Sequence, residues 1–119
     1  MSTTVEASLR QYWSMFNGTK KDFSEVESQF DLTFHEQFTH IFQDGRILTR
    51  EQTKQHHTNH LAKGSTISII HFKVVGPDYA DVQFSVKNDE ECQVFRVLFT
   101  IKDNKLQKAQ LVDVDTVMQ

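Results

Sequence analysis

The sequence predicts an α+β fold in which three helices in the N-terminal half pack on a mixed or antiparallel sheet that ends in a four-stranded meander. Three observations predict it. Up to Phe30 apolar residues recur at helical spacing behind clear capping signals, and Thr49–Lys63 carries helix start and stop signals of its own. From Ser65 onward they alternate with polar residues between turn-forming dipeptides. No repeat, low-complexity tract or linker interrupts the 119 residues, so residues 1–119 are expected to form one domain around one core.

The elements follow in order. Thr3 and Glu6 form a capping box ahead of Val5, Leu9, Tyr12, Trp13 and Phe16, an amphipathic stripe that stops at Asn17-Gly18. Asp22 and Glu25 form a second box before Phe23, Val26 and Phe30, which predicts a short helix of about two turns. From Asp31 the period changes. Leu32 and Phe34 alternate with Thr33 and His35, and Phe38, Ile41 and Phe42 lead to an Asp44-Gly45 turn, so a strand, a bend and a hairpin-like passage are expected. Beyond the third helix, strands are predicted over Ser65–Val75, Tyr79–Lys87, Cys92–Lys102 and Leu106 to about Asp115. Their turns are Gly76-Pro77-Asp78, the acidic run Asn88 to Glu91, and Asp103-Asn104.

The third helix, Thr49–Lys63, is punctuated plainly yet has almost nothing apolar to bury. Thr49 is a good N-cap, Gln52 completes a capping box, and Gly64 offers a stop. At about 100° per residue, Thr49, Thr53, His56, His57 and His60 share one arc, with Leu61 just beyond it. Either this helix lies loosely on the protein or its inner stripe lines something polar, such as a ligand cavity.

Composition narrows the function. The formal charge is −3, and the one basic doublet, Lys20-Lys21, runs straight into Asp22, so no basic stripe exists to hold nucleic acid. Ten phenylalanines predict an aromatic interior. Cys92 is the sole cysteine, which excludes an internal disulfide and suits a small apolar role in a strand. No stretch approaches the roughly 20 apolar residues of a membrane span, and MSTTVEASLR has no secretory character. A cytoplasmic protein is the expectation.

The stretches LRQYWSMFNGT, FDLTFHEQF, DGRILTREQTKQ and KLQKAQLVDVD, with the element order and length, resemble the nuclear-transport-factor-2-like superfamily over roughly Val5 to Asp115. The resemblance implies a cone in which a strongly curved sheet wraps against the helices to leave a pocket. Members use that pocket for isomerisation, dehydration, cyclisation, or for binding and dimerisation alone. QYW is similar to the segment in which ketosteroid-isomerase-like members carry an oxyanion-stabilising tyrosine, which implies that role for Tyr12. Glu36 falls where they place a carboxylate base. Their second oxyanion donor aligns near Val97, which has nothing to donate.

The residues themselves supply candidates for the same chemistry. A tyrosine on an apolar stripe must find a partner for its hydroxyl, structural or catalytic. His57 suits acid/base work, because an imidazole titrates near neutrality and needs no metal. The catalytic set is thus Tyr12, Glu36 and His57. Around it, Trp13 and Phe16 from the first helix, Phe34 from the first strand, Thr53, His56 and His60 from the polar helix, and Val97 and Phe99 from a late strand are expected to contact the ligand. His56 and His60 have the i, i+4 spacing of a shared metal, but no further ligand framework accompanies them, so no metal and no cofactor is expected. Strand alternation puts His35 and Glu36 on opposite faces.

In Cys92–Lys102 both faces are largely apolar: Gln93, Phe95, Val97, Phe99 and Ile101 on one, Val94, Arg96, Leu98 and Thr100 on the other. Helices cover one face, and a second copy of the chain is expected to cover the other in a C2 homodimer. Two functions remain open: a small-molecule lyase or isomerase, and a non-catalytic ligand-binding or homodimerisation module.

Overall fold

The computed structural model describes residues 4–118. Among them the chain forms three α-helices and a six-stranded mixed sheet. Helix α1 (Thr4–Ser14) buries the expected stripe, and Thr3 of its anticipated capping box lies outside the described residues. The helix tightens as it ends: the Met15 and Phe16 N–H groups donate to the carbonyls of Tyr12 and Trp13 at 3.2 and 3.0 Å. The Phe16 carbonyl then accepts from Ile67 N–H at 2.9 Å, which ties the end of α1 to the sheet.

The second helix starts later and runs further than its capping signal suggested. Asp22 and Glu25 do meet, the Asp22 N–H donating to the Glu25 carboxylate at 3.1 Å, but they cap a 3-10 turn (Phe23–Glu25). Helix α2 (Glu27–Thr33) follows and takes in Leu32 and Thr33, which the alternation had placed in a strand. Leu32 is 59% exposed on its outer face. The Thr33 hydroxyl donates to the Gln29 carbonyl at 2.8 Å, one helical turn back, so its side chain satisfies itself within the helix.

Strand β1 (Phe34–Ile41) turns through Asp44-Gly45 into the short β2 (Ile47–Thr49), and helix α3 (Arg50–Lys63) follows at once. Its capping box is complete: Gln52 N–H donates to Thr49 Oγ1 at 3.2 Å and Thr49 N–H to Gln52 Oε1 at 2.9 Å. Gly64 stops it with φ +71°, and Ser65 N–H donates to the His60 carbonyl at 3.0 Å. Strands β3 (Thr66–Val74), β4 (Tyr79–Lys87), β5 (Glu91–Lys102) and β6 (Lys105–Met118) form the meander. The order across the sheet is β2-β1-β6-β5-β4-β3, with β1 and β6 parallel and every other pair antiparallel.

The sheet is not the strongly curled one that the resemblance implied. β4 and β5 pair without interruption from Tyr79↔Thr100 to Lys87↔Cys92, so no bulge bends the sheet between these two strands. Register shifts do occur elsewhere, and the one in β1 matters most: Phe34 pairs with Leu106 but Thr39 already with Lys108. The extra residues bulge outward, so that Phe34 and Phe38 both point into the core while Glu36 and Gln37 face solvent.

The core lies between the helices and the inner sheet face. Tyr12 meets Phe16, Phe30 and Phe34 edge-on at centroid distances of 5.2, 5.7 and 5.5 Å, and Trp13 lies 4.2 Å from Phe84. Each fully buried aromatic ring contributes on the order of 2 kcal/mol through burial alone.

Candidate active site: a histidine-lined cavity under α3

Helix α3 is held by few apolar contacts. Thr53 and Leu61 are its buried residues, 2% and 1% exposed, with His57 between them on the same face. Its first turn adds a polar clamp. Arg50 pairs with Asp31 at 2.7 Å, donates to the His35 carbonyl at 3.2 Å and lies 4.8 Å over the Phe30 ring. The inner stripe therefore faces into the protein, and Thr53, His56, His57 and His60 border a cavity of about 80 Å³.

Apolar and aromatic groups make the opposite walls. Trp13 comes from α1, Phe34 and Phe38 from β1, Leu48 from β2, Phe84 and Val86 from β4, and Phe95, Val97 and Phe99 from β5. His40 of β1 joins them, as do Phe42, Ile67 and Ala109. His56 is itself exposed, so the cavity reaches the surface at its edge. Among the described residues no carboxylate lines it.

One contact organises the site. The Tyr12 hydroxyl and His57 Nδ1 are 2.8 Å apart. Tyr12 is fully buried, which raises its phenol far above the usual range, so the proton stays on the oxygen. Burial lowers His57 to about 3, with smaller effects from the neighbouring His56, His60 and His40. His40 falls to about 4 through burial and then through His56. His60 falls to about 4 for the same two reasons, with Lys63 adding to them. His56 is lowered by partial burial and then by Lys63. At neutral pH the site is a group of uncharged imidazoles.

Three polar atoms of the lining residues are buried and have no partner among the described residues: Trp13 Nε1, His40 Nε2 and Thr53 Oγ1. Such atoms each cost about 1–3 kcal/mol when left unpaired. Their concentration around one cavity is what a polar ligand or ordered water answers.

Of the residues expected to act, His57 lines the cavity, as do Trp13, Phe34, Thr53, His56, His60, Val97 and Phe99. Tyr12 and Phe16 stand behind the wall, with Tyr12 reaching the cavity through His57. Glu36 is exposed on the β1 bulge and does not border the cavity. The His56 and His60 rings meet edge-on with centroids 4.8 Å apart, and His60 Nδ1 lies 3.3 Å from Ser65 Oγ. Among the described residues no group of three His, Cys, Asp or Glu is placed to hold a metal. His40 also lines the cavity, although it stood outside the expected catalytic and ligand-contacting sets. Its signal was the Phe38, His40, Phe42 alternation, with one polar member on an otherwise aromatic face.

No protein-family model matches the sequence, and no curated protein matches it. Solved structures do match. A candidate ketosteroid isomerase from Kribbella flavida superposes with a TM-score of 0.68 at 15% identity, over 92% of this chain and 78% of that one. An NTF-2-like protein of unknown function from Burkholderia xenovorans gives 0.70 at 10% identity, over 92% and 81%. A candidate polyketide cyclase from Streptomyces antibioticus gives 0.71 at 9% identity, over 93% and 89%. The chain thus has the nuclear-transport-factor-2-like, cystatin-like cone fold. At these identities the likeness concerns fold, and the cavity chemistry stands on its own residues.

Proposed function

We propose that this chain binds a small, largely apolar molecule with one polar group under α3, and that the lining histidines perform acid/base chemistry on it, as an isomerase or lyase. The observation that carries the reading is the coincidence of three unpartnered buried polar atoms with an aromatic cavity wall. At pH 7 each imidazole is uncharged and offers one donating and one accepting nitrogen, while its lowered pKa makes it a weaker base than a free imidazole. The fold similarity to a candidate isomerase and a candidate cyclase is compatible with this and adds no residue to it.

Cyclobutanone is a suitable probe, since a cavity of about 150 Å³ accommodates benzene and this one is smaller. It should shift the NMR signals of cavity residues, and in deuterium oxide its α-hydrogens should exchange faster with protein than without. Absence of binding sinks the reading. Binding without exchange supports a non-catalytic module, which the position of Glu36 away from the cavity also favours.

A homodimer through the outer sheet face is the quaternary counterpart of this proposal. Val94, Leu98 and Thr100 are half-buried there, although the face is mixed, with Arg96 pairing with Asp81 at 2.7 Å. A sedimentation mass equal to one chain at micromolar concentration rejects it.

A further inference from the structure

The cavity contains a second layer of information about its ligand. The Tyr12 hydroxyl has one hydrogen to donate, and among the described residues His57 Nδ1 is its one hydrogen-bond partner. If Nδ1–H donated instead, the phenolic hydrogen would be buried with no acceptor, at a cost of about 1–3 kcal/mol. The satisfied arrangement has Tyr12 O–H donating to Nδ1. A neutral imidazole whose Nδ1 accepts carries its proton on Nε2. Among the described residues that nitrogen has no hydrogen-bond partner, and His57 borders the cavity.

The second donor is Trp13. Its indole Nε1–H can only donate, is buried, and has no partner among the described residues, and Trp13 borders the same cavity. The remaining unpartnered atoms, Thr53 Oγ1 and His40 Nε2, take either role according to their proton positions. No carboxylate lines the cavity among the described residues. The fixed hydrogen-bonding groups are thus donors, and none is an obligate acceptor.

We infer that the ligand presents an acceptor oxygen to Trp13 Nε1–H and His57 Nε2–H, and that Tyr12 is the positioning residue that holds His57 in its donating tautomer. Tyr12 then acts one step behind the ligand. Its hydroxyl sets which imidazole nitrogen carries the proton, and the imidazole makes the contact. A neutral imidazole used as a donor polarises a carbonyl or steadies an enolate without introducing a charge into an apolar cavity. An ammonium ligand would meet two N–H dipoles of the wrong sign. This inference rests on the cavity being a ligand site and goes beyond that in specifying the ligand's polar group.

Three probes of one shape test it: cyclobutanone, methylenecyclobutane and cyclobutylammonium. The chain has a single tryptophan, so its indole N–H signal reports Trp13 alone. The ketone should bind about tenfold more tightly than the hydrocarbon, as two modest hydrogen bonds allow. It alone should move the indole signal to lower field, and the ammonium should bind weakest. Nitrogen-15 spectra of the histidines should show His57 protonated on Nε2. In Tyr12→Phe the His57 tautomers should mix, and the ketone-to-hydrocarbon ratio should fall towards one with hydrocarbon binding unchanged. Trp13→Phe should lower the same ratio and leave the tautomer in place. Equal binding of ketone and hydrocarbon to the unmodified protein, preference for the ammonium, or a His57 proton on Nδ1 overturns the inference while leaving the cavity as a ligand site. Failure of all three probes to bind removes the ligand site and the inference together.

Discussion

At the scale of single residues, the site is built from polar groups that the fold leaves partly unanswered. Thr53 shows this most simply. It sits on the inner face of α3, 2% exposed, and its Oγ1 has no hydrogen-bond partner among the described residues. A hydroxyl in that position weakens the fold and gains a role only when something else occupies the cavity. Thr53→Val keeps the branched shape and nearly the same helix propensity while removing the hydroxyl. We expect it to stabilise the protein by about 1 kcal/mol, seen as a higher urea midpoint at unchanged slope. A loss of stability would show that the hydroxyl is satisfied in the native protein. Glu36 teaches the complementary lesson. A carboxylate avoids an apolar interior unless a partner compensates it, and the β1 bulge turns it to solvent.

At the scale of elements, α3 depends on its ends more than on its face. Its start is capped on both sides by Thr49 and Gln52, and its stop is Gly64. Gly64 lies at φ +71°, and a Cβ added there would come within 2.9 Å of the Gly18 carbonyl oxygen, a backbone atom that cannot swing aside. Gly64→Ala should therefore cost about 1–3 kcal/mol, from the left-handed backbone together with the crowding. A thermal melt unchanged within error would contradict that geometry. These end signals were legible in the sequence because a cap is a local device that needs no knowledge of the fold. The stripe of Thr53, His56, His57 and His60 was legible for the same reason, through spacing. What spacing could not supply was the neighbour across the gap. Tyr12 and His57 are 45 positions apart, and their hydrogen bond depends on where the fold sets the two helices. The β1 bulge was likewise hidden, since alternation assumes a regular strand, and it leaves Glu36 in solvent between the inward Phe34 and Phe38.

At the scale of the whole molecule, the fold gathers four histidines from two distant segments, His40 on β1 and His56, His57 and His60 on α3, around one cavity. Each has its pKa lowered by folding, and this couples stability to pH. In the unfolded chain these imidazoles take up protons near 6.5. In the folded chain His40 and His60 resist to about 4 and His57 to about 3. Between those values the unfolded state binds more protons than the native one, so stability must fall as pH is lowered from about 6.5 to about 4 and be fully present above that window. The surrounding charges do not reverse the sign, because Lys63 and the histidines themselves oppose protonation and no lining carboxylate favours it. The combined loss is on the order of several kcal/mol, comparable to the whole stability of a small domain. Carboxylates with lowered pKa values, such as Asp44 and Asp81, act in the same direction but below about pH 4, which separates the two effects. Urea midpoints measured across pH 4 to 7 should decline steeply with acidification, and His57→Gln should make that decline shallower throughout, from about pH 6.5 downward. A midpoint that is level from pH 7 to 4.5 would mean that these histidines titrate as they do in solution and that the cavity is open to water.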